Sequence, residues 1–144
     1  MKYEEEQILH IIEKMNSEFE KILLSLYPYP YQGNSDVYSY YLTGHCPSYA
    51  QILYNIFGDT ETIEFHFLED DINEDHIVTK INEHFYDVRG NVDSLTRRSD
   101  SKFDYSYLGA MQDYYGNNDK VDSLLILQLS EIGKNSKNRQ KIKN

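Results

Sequence analysis

The chain is poor in the residues that staple or anchor small folds. Its 144 residues include 1 cysteine, 3 prolines and no tryptophan. One cysteine cannot close an internal disulfide, and a thiolate zinc site ordinarily needs two or more. No apolar run reaches the roughly 18 residues that a membrane-crossing helix requires. The N-terminus, MKYEEEQ, is acidic and has none of the apolar core of an export signal. These absences predict a reduced, cytoplasmic protein with no membrane association. No cofactor and no metal is expected.

An excess of positive charge is missing too. The formal net charge is -10. Lys134, Lys137, Arg139, Lys141 and Lys143 follow one another at the C-terminus with no acid among them, which leaves -15 on the preceding part. A body this acidic repels phosphates, so direct nucleic-acid binding is not expected. A basic protein partner is compatible with the charge, and so is plain solubility. The oligomeric state stays open.

The length suits one domain with a sizeable core. Residues 1–133 are predicted to form it, with 134–144 as a basic, disordered tail. Tyrosine is abundant, with 14 copies. Its apolar body and polar tip suit cleft walls and half-buried surfaces.

Ile8, Ile11, Ile12, Met15, Phe19, Ile22, Leu23 and Leu26 recur at helical spacing, which predicts an amphipathic helix over Tyr3 to Leu26. Pro28 and Pro30 stop it, and Tyr27 to Tyr41 reads as a tyrosine-laced loop. The next stretch, GHCPSYAQILYNIFG, predicts a short helix with Cys46 at or next to its N-cap, Pro47 at its first helical position and Gly58 at its end. Ile63, Phe65 and Phe67 alternate with polar residues as a strand. HIVTKI and HFYDVRG flank Asn82-Glu83 as a hairpin. Residues 91–120 are irregular, with a short helix around Leu108 to Tyr115. Val121 to Ile132 reads as a helix ended by Gly133.

Cys46 has two readings. A thiolate is stabilised where the free N–H groups and positive dipole end of a helix converge, with Ser48 and Tyr49 as donors. Alternatively, a lone cysteine is a small buried hydrophobe. A nucleophile also needs a base. With Asn82-Glu83 as a two-residue turn, paired residue numbers sum to 165. His76 and Asp87 then become diagonal neighbours. The plainer readings are a solvated His76 and an Asp87 paired with Arg89 or Lys80. Two metal readings stand beside these: a calcium loop at EDDINED, Glu69 to Asp75, and a zinc site from Cys46, His66, His76 and His84. The first lacks EF-hand spacing and the second lacks a paired ligand motif.

Gly44-x-Cys46, the helix with Ala50 and Leu53, then His76-Ile77-Val78, then Phe85-Tyr86-Asp87, resembles the papain-like cysteine hydrolases of the transglutaminase and bacterial cell-wall peptidase kind. The resemblance covers about residues 44–90. It implies an α+β fold with a papain-like core, in which N-terminal helices pack on a small antiparallel sheet. It also implies Cys46 as nucleophile, His76 as general base and acid, and Asp87 as orienter, acting on a protein or peptide substrate as a peptidase, amidase or deamidase. Pro47 departs from the aromatic that transglutaminases carry after the cysteine. For the oxyanion, Gln32, Tyr38, Tyr40 and Tyr41 are candidates, as is the N–H of Cys46. The competing function is a non-enzymatic acidic inhibitor, phage or mobile-element borne, that binds a basic nucleic-acid-binding protein.

Overall fold

A computed structural model describes residues 2–26, 36–68, 76–95 and 101–140. The EDDINED loop, and the calcium reading with it, lies outside them, as does Gln32.

The first helix, α1 (Glu5–Leu26), buries Ile8, Ile11, Ile12, Met15, Phe19, Ile22 and Leu23 along one face. Glu5 and Glu6 sit in its first turn, where the macrodipole favours acids. A second helix, α2 (Val37–Leu42), falls within the segment expected to be loop. Asp36 caps it by accepting from the Ser39 N–H at 3.0 Å, and Val37, Tyr40 and Tyr41 bury at i, i+3 and i+4. Helix α3 (Cys46–Phe57) follows, with Pro47 in its first turn and Gly58 as its C-cap, as the sequence predicts.

The sheet has five strands in the order β4-β3-β2-β1-β5: β1 (Ile63–Leu68), β2 (His76–Ile81), β3 (His84–Asp87), β4 (Gly90–Asn91) and β5 (Ser101–Phe103). Every neighbouring pair is antiparallel. Between β2 and β3 the register is Thr79↔Tyr86, Lys80↔Phe85 and Ile81↔His84, so the pairs sum to 165 as expected. Asn82 makes the tight turn by adopting φ 59°, a left-handed conformation that Asn tolerates. After β5 come a 3-10 turn (Tyr105–Tyr107), α4 (Leu108–Tyr114) and α5 (Lys120–Arg139).

The protein is therefore α+β, with N-terminal helices packed on a small antiparallel sheet. One core joins α1, α2, α3 and α5 to Ile81, Tyr86 and Val88 of the sheet region. A second, smaller cluster gathers Cys46 and Ala50 of α3, Phe65 and Ile77 of the sheet, and Leu108 of α4.

Two expectations fail at the C-terminus. Gly133 does not end α5, which continues to Arg139. A Cβ on Gly133 would lie 2.1 Å from Ile56 Cδ1 and 3.0 Å from Met15 Sδ, so the glycine is where α5 presses closest to α3 and α1. The basic stretch expected as a tail is helical through Arg139 because Lys137 is buried. Its Nζ donates to the Ile56 carbonyl at 2.8 Å and to Asp59 Oδ1 at 2.7 Å.

Candidate functional site

The β2–β3 ladder stops at Thr79↔Tyr86. His76, the first residue of β2, and Asp87, the last of β3, therefore lie beyond the last rung of their own hairpin. On their other edges His76 pairs with Leu68 of β1 and Asp87 with Gly90 of β4, and the two side chains meet at the hairpin's open end. His76 Nε2 lies 2.8 Å from Asp87 Oδ2. The ring and the Cys46 side chain of α3 line the same space, and Cys46 is one of the neighbours that raise the ring's pKa. With Nε2 engaged by the carboxylate, Nδ1 is the atom left for sulfur. Cys46, His76 and Asp87 thus line one space, although the first and last lie 41 residues apart in sequence.

All three are buried, with Cys46 5%, His76 2% and Asp87 4% exposed. They share a closed space with Tyr41, Tyr49 and Tyr86 that leaves no room for a water molecule. Burial alone pulls the His76 ring toward its neutral form. The hydrogen bond to Asp87, the Cys46 side chain beside the ring and the carboxylate's charge oppose this and push its pKa up to about 9. Burial likewise raises Asp87, but His76 and Arg89 more than offset it and hold the carboxyl below its usual range.

Arg89 is bound closely to the same carboxylate. Its Nη2 donates to Asp87 Oδ2 at 2.6 Å, and its backbone N–H donates to Oδ1 at 2.8 Å. The Asp87–Arg89 pairing considered as the plain alternative is present alongside the His76 contact rather than in place of it. Two acceptor oxygens accommodate both partners.

The donors expected for a thiolate at the helix start are differently used. The N–H groups of Ser48 and Tyr49 both reach the His45 carbonyl, at 3.1 and 3.3 Å. His45 caps α3 without a side-chain cap bond. Its ring stacks on Tyr40, centroid to centroid 4.1 Å, and its Nε2 lies 3.4 Å from Asp122 Oδ1. Among the oxyanion candidates, Tyr38 is largely exposed and Tyr40 Oη is held by Asp122. The buried Tyr41 hydroxyl has no partner among the described residues, and its ring lines the space beside Cys46.

The zinc grouping does not assemble. His66 pairs with Glu64 at 3.0 Å and His84 with Asp93 at 2.6 Å, and only His76 contacts Cys46. Among the described residues, Glu5, His84 and Asp93 are the three potential ligands that do converge, away from the thiol.

Sequence reading missed Asn117. This residue is 3% exposed. Its Nδ2 donates to the Gly44 carbonyl at 2.8 Å and to the Tyr115 carbonyl at 3.1 Å, and its Oδ1 accepts from Ser48 Oγ at 2.9 Å. No local pattern could have signalled contacts to Gly44 and Ser48, which are 73 and 69 residues away.

Fold and site together define an α+β protein in which a buried imidazole, paired with a carboxylate, shares one closed space with a helix-borne thiol. Its lineage is another matter. Residues 23–124 match the family described as phage YunG-like protein, which covers well over half the chain and all three residues of the site. The chain belongs to that family. This corrects the resemblance to papain-like and transglutaminase-like hydrolases, neither of which is the family that matches. The four stretches behind that resemblance are short, and the geometry of an activated thiol can arise on unrelated folds, so they do not identify descent. No curated protein and no solved structure matches the chain. Among the described residues, no helix is long and apolar enough to cross a membrane.

Proposed function

We propose that the protein is a thiol-dependent acyl-transfer enzyme. The observation that carries this reading is the buried His76, held by Asp87 at 2.8 Å on one ring nitrogen and sharing one closed space with Cys46. His76 accepts the Cys46 proton, and the sulfur attacks an amide or ester carbonyl. As the C–S bond forms and the C–N or C–O bond breaks, His76 returns the proton to the leaving group. Water or an amine then cleaves the thioester, giving hydrolysis, deamidation or transfer. Asp87 keeps the imidazole oriented and stabilises its charged form, and Arg89 keeps Asp87 ionised.

The substrate is a peptide or protein, reached from the side of α4. There Phe67, Met111 and Tyr115 pack against the cluster that contains Cys46. With Ser101 and Tyr114 they line a recess of about 370 Å³. The closed space around the sulfur must open for an acyl group to enter.

The test is pH-resolved alkylation with iodoacetamide, read by mass spectrometry of the single cysteine. A free thiol titrates near 8.5 and slows about tenfold for each unit below that. Wild type should stay reactive at pH 6.5, and His76→Ala should lose that low-pH reactivity. A wild-type profile that follows a free thiol and is unaffected by His76→Ala would remove the proposal.

A second reading draws on the phage family and the net charge of -10. The chain would then bind a basic, nucleic-acid-binding protein by presenting carboxylates. Salt-sensitive binding that survives Cys46→Ala would favour it.

A further inference from the structure

The nucleophile sits at a junction that its own helix secures only by the Ser48 and Tyr49 N–H groups on the His45 carbonyl. Gly44 turns the chain at φ 95° just before Cys46, a conformation that adds no rigidity of its own. His45 gives α3 no side-chain cap. What else fastens this junction comes from outside it. Asn117, in the turn after α4, reaches the Gly44 carbonyl on one side of Cys46 and the Ser48 hydroxyl on the other. Its remaining donor contact holds the Tyr115 carbonyl, next to the side chain that walls the recess. Ser48 is 1% exposed, so its end of this clamp cannot turn to water for replacement, while the Gly44 end is half-buried.

We propose that Asn117 is the positioning residue that seats the Cys46 thiol against His76, and that it couples this seating to the α4 wall of the recess. The inference rests on the thiol-dependent reading above. An amide suits the task because it offers donors and an acceptor from one rigid plane. Oδ1 fixes the first turn of α3, while Nδ2 fixes the approach to it. Without them, Gly44 and Ser48 must each find another partner, and the three-residue span carrying the sulfur shifts. A shift of about an ångström is enough to break a contact to sulfur and to cost large factors in rate.

The experiment compares iodoacetamide alkylation of Cys46 at pH 6.5 and pH 9 in the full chain, as wild type, Asn117→Ala and Asn117→Asp. The quantity read is the ratio of the two rates. A purely structural role would loosen the fold and raise both rates, leaving the ratio unchanged. A positioning role lowers the ratio, on the order of tenfold where the imidazole contact is lost, equal to about one unit on the pH axis. Asn117→Asp keeps the size and the acceptor for Ser48 but sets a carboxylate against two carbonyls, so it should also lower the ratio. Should Asn117→Ala fail to fold, Asn117→Asp and Ser48→Ala decide, the latter with a smaller fall of the same sign. A high wild-type ratio retained in every folded variant overturns this inference alone. A wild-type ratio equal to that of free cysteine overturns the thiol-dependent reading, and this inference with it.

Discussion

Gly133→Ala should destabilise the protein, although alanine is the better helix former. The added Cβ would lie 2.1 Å from Ile56 Cδ1, 2.8 Å from Ile56 Cγ1 and 3.0 Å from Met15 Sδ. Ile56 is 1% and Met15 0% exposed, so neither can swing into solvent to make room. Overpacking a filled core costs about 1–3 kcal/mol. The Gly-to-Ala gain within a helix returns about 1 kcal/mol. At 2.1 Å the clash belongs at the upper end of that range, so the net loss should be about 1–2 kcal/mol. Urea unfolding followed by far-UV circular dichroism measures it, since tryptophan fluorescence is not an option. Ile56→Val supplies the internal control. It removes Cδ1, the nearest clashing atom, and alone costs about 0.5–1.5 kcal/mol. In the double variant the two losses should not add, and the coupling should be favourable by about 1 kcal/mol. If Gly133→Ala equals or exceeds wild type in stability, α5 does not press on α3 as described. The account of why α5 runs past its glycine would then fail.

Three further outcomes follow from the same geometry. Asp87→Asn removes the charge that serves both His76 and Arg89, and should cost about 3 kcal/mol in urea unfolding, as breaking a buried pair does; a loss below the error of the melt would contradict the burial of that pair. His76 should titrate near 9 by NMR in wild type and lower in Asp87→Asn. Because its folded pKa is raised, the stability it contributes is complete below about 6.5 and fades as pH rises through about 9. Asp87, whose pKa is depressed, keeps its contribution above about 3.8 and loses it only on further acidification. A His76 titration at or below 6.5 would refute the ring's pairing. Removing residues 134–144 should destabilise the domain, because Lys137 and its bonds to Ile56 and Asp59 go with them; an unchanged melting temperature would show that this stretch is dispensable after all.

How far the sequence could be read depended on how local the determinants were. Helix α1 was legible because its eight apolar positions repeat with the helical period. The hairpin register was legible because a two-residue turn leaves a single pairing, and that pairing put His76 and Asp87 within reach. Helix α2 was not: six residues carry one cap and one i, i+3, i+4 set, which tyrosines and an adjoining proline-rich stretch obscure. Strands β4 and β5, of two and three residues, are too short for any alternation to register. Gly133 misled because a glycine required by a neighbouring helix looks, in one dimension, like a glycine that stops its own. The clamp of Asn117 belongs to a still less legible class, since it depends wholly on which segments meet.

The family correction separates two inferences that the sequence had run together. Placing a thiol at a helix start, an imidazole at a strand start and an acid on the next strand is one economical way to activate sulfur. It needs only one helix end and one hairpin, elements that unrelated chains possess. The same constellations recur on unrelated folds because proton transfer imposes the geometry. Finding the three residues in contact therefore supports a chemistry without supporting a lineage, and the phage YunG-like match supports a lineage without naming a chemistry. Neither can substitute for the other. The behaviour of one sulfur toward an alkylating agent bears on the chemistry directly, because it reads the imidazole contact itself and is indifferent to ancestry.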